Sequence, residues 1–297
     1  MSTSVLSIQH LSKRYGAIRA LKDVSFEVPK GSIFGILGPN GSGKTTLLGI
    51  ITDVLRQDSG QFALFEAPPD AATRRRIGTL LETPNFYPYL SARKNLEITA
   101  AIKQIPVPEI DEVLKRVDLF DRQNSKFSTF SLGMKQRLAI GAALLGEPEM
   151  LILDEPTNGL DPNGIAEIRH LIQQLAAEGK TIIMASHLLD EVEKVCTHVA
   201  IIKNGDLLAT GGVGEVLASE DQIALGAADL AALEVLLKGF GGYISQARQG
   251  DRILMNADLT RHSLADLNNF CFENGIVLNH LALHKKSLEA KFLEITH

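Results

Sequence analysis

Apolar residues along this chain fall into short runs separated by glycine-rich or polar loops, with stretches of helical spacing between them. Near the start, Leu6–His10, Val24–Val28 and Ser32–Leu37 read as strands, and Pro29-Lys30-Gly31-Ser32 supplies a turn between the last two. The run Ile33–Leu37 leads into a glycine loop and then into a helix over Thr45–Val54. The same grammar returns later. Met150–Leu153 and Thr181–Ala185 are continuous apolar runs of the kind that form parallel strands buried on both faces. Between them Gly164–Ala177 is helical, with Gly179 placed to stop it. Val199–Lys203 and Asp206–Ala209 flank Asn204-Gly205, a strong hairpin signal. Ser91–Leu145 is mostly helical, with a break at Pro106 and Pro108. Strands alternating with helices predict an α/β fold built on a mixed, largely parallel sheet.

After about Gly214 the pattern changes. A strand at Gln222–Leu225, a helix at Ala228–Lys238 and strands at Tyr243–Ala247 and Arg252–Asn256 follow one another, the last two joined at Gly250-Asp251. A helix at His262–Glu273, a strand at Ile276–Leu283 and a last helix at Leu288–Ile295 complete the chain. The order up to Leu283 is β-α-β-β-α-β, which predicts a small ferredoxin-like α+β domain. The expected division is 1–215, with a helical subdomain at about 86–147, and 216–297.

Composition narrows the function. A net charge of -5 argues against a nucleic-acid binder. Cys196 and Cys271 lie far apart, so reduced buried thiols in a cytoplasmic protein are expected rather than a metal site. The N-terminus shows no secretory pattern, and no apolar run approaches the roughly 18 residues of a membrane span. Any membrane role then runs through a partner.

The chemistry concentrates in three places. Gly38-Pro39-Asn40-Gly41-Ser42-Gly43-Lys44-Thr45 matches the phosphate-loop pattern G-x-x-x-x-G-K-[ST], and Thr46 follows. Glycines let backbone N–H groups approach phosphates, the helix N-terminus adds a favourable dipole, and Lys44 adds a point charge. Thr45 offers a hydroxyl to Mg²⁺. Met150–Leu153 runs into Asp154-Glu155, which places carboxylates at the sheet edge where ligands bind in such folds. Phe130-Ser131-Leu132-Gly133-Met134 opens an apolar helix; Ser131 reads either as a plain helix cap or as part of a second anion site.

Together these motifs resemble the nucleotide-binding subunit of an ATP-binding cassette (ABC) transporter, over about residues 5 to 215. The resemblance implies an ATP site with Mg²⁺, with Gly38–Thr46 on the phosphates and Asp154 on the metal. It makes Glu155 the catalytic carboxylate, His187 the switch histidine and Tyr15 the adenine-stacking aromatic. Ser131, Leu132, Gly133 and Met134 align with the signature sequence, whose commonest form has Gly and Gln where Leu132 and Met134 stand. Asp161, in Gly159-Leu160-Asp161, aligns with the D-loop. Where the family usually carries a metal-ligating glutamine, this chain has Glu82, whose extra charge is expected to slow metal binding or change coupling. The stretch after Glu82 and the end of the chain resemble cassettes of the bacterial antibiotic-resistance and multidrug-efflux type.

The resemblance further implies a head-to-tail homodimer or paired cassette, with two ATP molecules sandwiched between the copies. It also implies an integral membrane permease as partner, peripheral attachment at the inner face of the cell membrane, and no nucleic acid. Phe86, Tyr87 and Tyr89 either contact the permease or pack within the helical subdomain. Arg74, Arg75 and Arg76 read as a solvated face, and the seven histidines other than His187 as surface or core residues. Soluble ABC proteins of translation or DNA repair usually carry a second cassette or a long coiled coil, which this chain lacks. GTPases usually carry an Asn-Lys-x-Asp motif, also not found.

Overall fold

A computed structural model describes residues 3–81, 85–218, 222–259 and 261–284. The chain divides into two compact units, residues 1–213 and 214–297.

The first unit begins with a hairpin of two 12-residue strands, β1 (Ser4–Tyr15) and β2 (Ile18–Pro29). In chain order there follow β3 (Ile33–Leu37), α1 (Lys44–Ile51), β4 (Ser59–Leu64), α2 (Ala71–Arg75), β5 (Ile77–Leu80), α3 (Ala92–Lys103), α4 (Pro108–Arg116) and α5 (Leu132–Leu144). Then come β6 (Met150–Asp154), α6 (Pro162–Ala177), β7 (Thr181–Ser186), α7 (Leu189–Val195), β8 (His198–Lys203) and β9 (Asp206–Gly212). One sheet has the order β5-β6-β7-β3-β8-β9, parallel except for β9, which runs antiparallel to β8. The other is antiparallel, in the order β2-β1-β4.

Every residue of β3, β6 and β7 is buried, as continuous apolar runs demand when a sheet is covered on both faces. The short helix α1 lies in the core shared by the two sheets. Its Leu47, Leu48, Ile50 and Ile51 pack in one cluster with Leu6, Ile8 and Phe26 of the hairpin and Ile36, Ile152 and Ile183 of the parallel sheet. An eight-residue helix is marginal alone, so the burial of all but Thr45 and Thr46 is what holds it.

Three local expectations change. The N-terminal strands are longer than the apolar runs that marked them, because bulges at His10 (φ 54°) and Asp23 (φ 56°) break the alternation a uniform strand would show. The elements β4 and α2 are not legible in the hydrophobic pattern. Only two residues of β4 are buried, and α2 is held by a capping box between Asp70 and Thr73 rather than by an apolar stripe. The Arg74–Arg76 run is not simply solvated. Arg76 pairs with Glu149 at 2.6 Å and lies 3.7 Å from the centre of the Phe65 ring, while Arg74 pairs with Asp53 at 3.2 Å.

In the helical region Ser91 caps α3, and Pro106 and Pro108 lie at the α3–α4 junction. Buried Asn95 ties down the turn before α3, accepting from the Tyr87 N–H at 2.8 Å and donating to its carbonyl at 3.1 Å. Phe86 packs edge-on against Phe127, whereas Tyr87 and Tyr89 are exposed.

The second unit holds α8 (Val213–Ala218), which begins one residue before the division, β10 (Gln222–Ala227), α9 (Leu230–Leu237), β11 (Tyr243–Gln249), β12 (Arg252–Ala257), α10 (Leu264–Glu273) and β13 (Leu278–His284). From β10 to β13 the element order is β-α-β-β-α-β, and the sheet is antiparallel with the order β11-β12-β10-β13. Ile223, Leu225, Ile253 and Met255 of the strands pack with Leu233, Leu237, Leu267 and Cys271 of the helices. The helix expected over Leu288–Ile295 falls outside the described residues.

Candidate functional site

The site is assembled at the C-terminal ends of β3, β6 and β7, which are neighbours in the sheet. After β3 the chain enters Gly38–Thr46, with Gly41 at φ 79° and Gly43 at φ 114°. Glycine is required twice over. A Cβ on Gly38 would lie 2.1 Å from the Ile202 carbonyl oxygen, and one on Gly43 2.3 Å from that of Ala20. Gly43 also stands at the N-cap of α1 with no side chain to occupy the first N–H groups. Those donors and the helix dipole are left for an anion.

Lys44 is buried, and its ammonium donates to the Gly38 carbonyl at 2.8 Å and to that of Pro39 at 3.4 Å. The Thr45 hydroxyl donates to Asp154 Oδ2 at 3.1 Å across 109 positions of sequence. A hydroxyl and a carboxylate so placed are hard oxygen donors of the kind Mg²⁺ takes, so the residues present fit that ion.

One residue on, Glu155 adopts φ 48°, a conformation that costs a side-chain-bearing residue strain. Its N–H donates to the Ala185 carbonyl of β7 at 3.0 Å. Its carboxylate meets His187 Nδ1 at 2.8 Å and lies 3.5 Å from the Lys44 ammonium. Tyr15, at the end of β1, is 45% exposed. A single open cavity of about 640 Å³ runs from Tyr15 past Asn40, Gly41, Gly43, Lys44, Thr45 and Thr46 to Glu155. Arg19, Lys22 and Asn204 also line it, and sequence reasoning did not single them out for the site.

The remaining expected residues lie elsewhere. Ser131 caps α5 by accepting from the Met134 N–H at 3.2 Å. A Cβ on Gly159 would stand 3.4 Å from Leu132, so the start of α5 abuts the loop before α6. That loop ends at Asp161, which caps α6 by accepting from the Gly164 N–H at 2.9 Å. Among the described residues, neither Ser131, Leu132, Gly133, Met134 nor Asp161 lines the cavity at the phosphate loop. Glu82 lies outside the described residues.

The family model described as "ABC transporter" matches residues 21–158. The chain is 37% identical over 301 residues to the uncharacterized ABC transporter ATP-binding protein YdbJ of Bacillus subtilis (strain 168), covering 100% of this chain and 96% of that one. This chain belongs to the ABC transporter ATP-binding proteins. As such it is the ATP-binding and ATP-hydrolysing subunit whose turnover drives transport through a separate permease.

Three further likenesses place this ABC subunit among its relatives. It is 46% identical over 213 residues to the bacitracin transport ATP-binding protein BcrA of Bacillus licheniformis, covering 70% of this chain and 69% of that one. Its fold matches the structure of cbiO1 from Clostridium perfringens, part of the ABC transporter complex cbiONQ, with a TM-score of 0.68 and 32% identity over 73% of this chain and 91% of that one. It also matches the dimeric post-hydrolysis structure of the ATP-binding cassette MJ0796 bound to ADP and phosphate, with a TM-score of 0.61 and 27% identity over 70% of this chain and 98% of that one. Among the described residues no helix is long and apolar enough to cross a membrane.

Proposed function

We propose that this chain powers an exporter of the antibiotic-efflux type, working as a head-to-tail pair of cassettes beneath an integral membrane permease at the cytoplasmic face. The supporting observation is the separation of two helix N-termini. The phosphate loop and Glu155 share one cavity, while Ser131–Met134 stands apart from it at the exposed start of α5. A second copy, turned head to tail, brings its Ser131–Met134 and Asp161 against the γ-phosphate held by the first. Export is supported by the names of the relatives, among them the bacitracin transport protein and the lantibiotic transport ATP-binding protein SrtF of Streptococcus pyogenes.

Within each site, Tyr15 stacks on the adenine, the N–H groups of 38–46 ring the phosphates, and Lys44 exchanges its contacts with loop carbonyls for phosphate oxygens. Thr45, Asp154 and Glu82 would hold Mg²⁺, which would supply charge neutralisation on the phosphates. Glu155 accepts the proton of the attacking water. His187, which contacts Glu155 through Nδ1, hydrogen-bonds the γ-phosphate and senses its loss. Loss of that phosphate removes contacts from both copies, and the pair opens. Exposed Tyr87 and Tyr89, on the turn that Asn95 fixes, face the permease; we read the second unit as a ferredoxin-like accessory domain.

The test is the oligomeric state of Glu155→Gln. With ATP and Mg²⁺ it is expected to elute as a dimer, and with ADP as a monomer. A monomer in both conditions sinks the paired-cassette reading. For the exporter, affinity purification from membranes of the native host should recover an integral permease, and deletion of the pair should sensitise the host to a peptide antibiotic.

A further inference from the structure

The β8–β9 turn, Asn204-Gly205, carries hydrogen bonds beyond those of a hairpin. Both residues have positive φ, 51° and 84°, as a tight two-residue turn requires. The Gly205 N–H donates to the Ser42 carbonyl inside the phosphate loop at 2.9 Å. The Gly205 carbonyl accepts from the Lys22 N–H of β2 at 2.8 Å. One peptide-bearing residue therefore joins the phosphate loop to the N-terminal hairpin. Asp206, next in sequence, pairs with the Lys22 ammonium at 2.7 Å and locks the same junction from outside.

The packing is as tight as the hydrogen bonding. A Cβ on Gly205 would lie 2.9 Å from the carbonyl oxygens of both Arg19 and Ala20. That Ala20 oxygen is the one pressed against Gly43, and the Ile202 oxygen just before the turn is the one pressed against Gly38. The loop is thus gripped at Gly38 by β8, at Ser42 by the turn and at Gly43 by β2. Ser42 sits between the two ends of the phosphate cradle, so fixing its carbonyl fixes the peptide plane that carries the Gly43 N–H. Asn204 lines the nucleotide cavity itself.

We propose that the Asn204-Gly205 turn is a positioning element of the nucleotide site: it pre-sets the phosphate loop for ATP, and its loss weakens binding rather than the chemical step. This rests on the reading that Gly38–Thr46 holds the phosphates, which Lys44→Ala tests separately. Preorganisation of this kind acts on affinity because the loop need not be ordered when the ligand arrives.

The experiment compares two glycine-to-alanine changes in hairpin turns of the full chain. Gly205→Ala strains a φ of 84° and displaces the Ser42 contact, whereas Gly250→Ala strains a φ of 60° in the β11–β12 turn, where an added Cβ meets nothing within 4 Å. Gly205→Ala is expected to raise the Kd for a fluorescent ATP analogue about tenfold, and the KM for ATP with it, with kcat within about twofold. Gly250→Ala is expected to lower Tm with Kd at the parental value. Asp206→Asn, which keeps the turn and removes the ion pair, should weaken binding about threefold, and it decides the matter if Gly205→Ala does not fold. Parental affinity in Asp206→Asn and in any folded Gly205→Ala, or a fall in kcat with Kd unchanged, overturns the proposal. If Lys44→Ala binds ATP as well as the parent, the phosphate-loop reading itself fails.

Discussion

The N-termini of α1 and α5 are built in opposite ways. At α1 the cap is Gly43, with no side chain to consume an N–H, and a buried lysine stands beside it. At α5 the cap is Ser131, whose hydroxyl already accepts from Met134, and Leu132 beside it is 47% exposed. The first is an uncapped pocket, which the proposed function reads as the phosphate seat. The second is capped by its own serine, and the proposed function reads its exposed end as the surface that meets a phosphate held by the other copy. The proposed function gives binding to one helix and closure to the other, and single substitutions can break one side at a time.

The largest expected effect is on turnover. Glu155→Gln removes the proton acceptor and should lower kcat about a thousandfold, with the Kd for ATP within about twofold of the parent. Isothermal titration and phosphate release measured on one preparation separate the two. Lys44→Ala strikes the uncapped end, and ATP affinity should fall about a hundredfold because a buried charge against phosphate is lost. Ser131→Arg strikes the capped end. Hydrolysis should fall about a hundredfold while nucleotide binding to the monomer stays parental; a matching loss of monomer binding would place the signature in its own chain's site. Tyr15→Ala should weaken ATP about tenfold without affecting pyrophosphate.

The smallest effect lies beyond the far end of α5. Burial pushes the Glu147 carboxyl upward, but Lys180 and Arg116 outweigh it and hold it below its usual range. A depressed folded value means that the stabilisation is complete above the unfolded pKa and is lost as pH falls through the folded one. Melting of the parent should therefore fall on acidification below about pH 4.5, and Glu147→Gln should flatten that fall. At neutral pH the same variant should cost about 1 kcal/mol or less, because the group is half exposed to solvent.

Much of the fold was legible because its signals are local. The strands β3, β6 and β7 are unbroken apolar runs, Gly38–Thr46 combines glycines with a lysine in a fixed order, and Ser131 stands where a helix needs a cap. The bulged hairpin, β4 and α2 were not legible, because their period is broken or their length too short for the pattern to repeat. Arg76 was misjudged for a different reason. Its partners Phe65 and Glu149 come from separate elements, and a charge run says nothing about what folds against it.

By itself, the sequence determined which groups exist and the backbone geometry each demands: glycines where φ is positive or a carbonyl presses close, and a threonine and carboxylates at the ends of buried runs. Only the tertiary structure decided which of them meet. The strand order β6-β7-β3 brings Asp154 to Thr45 and Glu155 to His187, and the β8–β9 turn carries Gly205 onto Ser42. Local propensity acts within a turn or two of chain, whereas these contacts form because burying three apolar strands side by side aligns their polar ends on one edge.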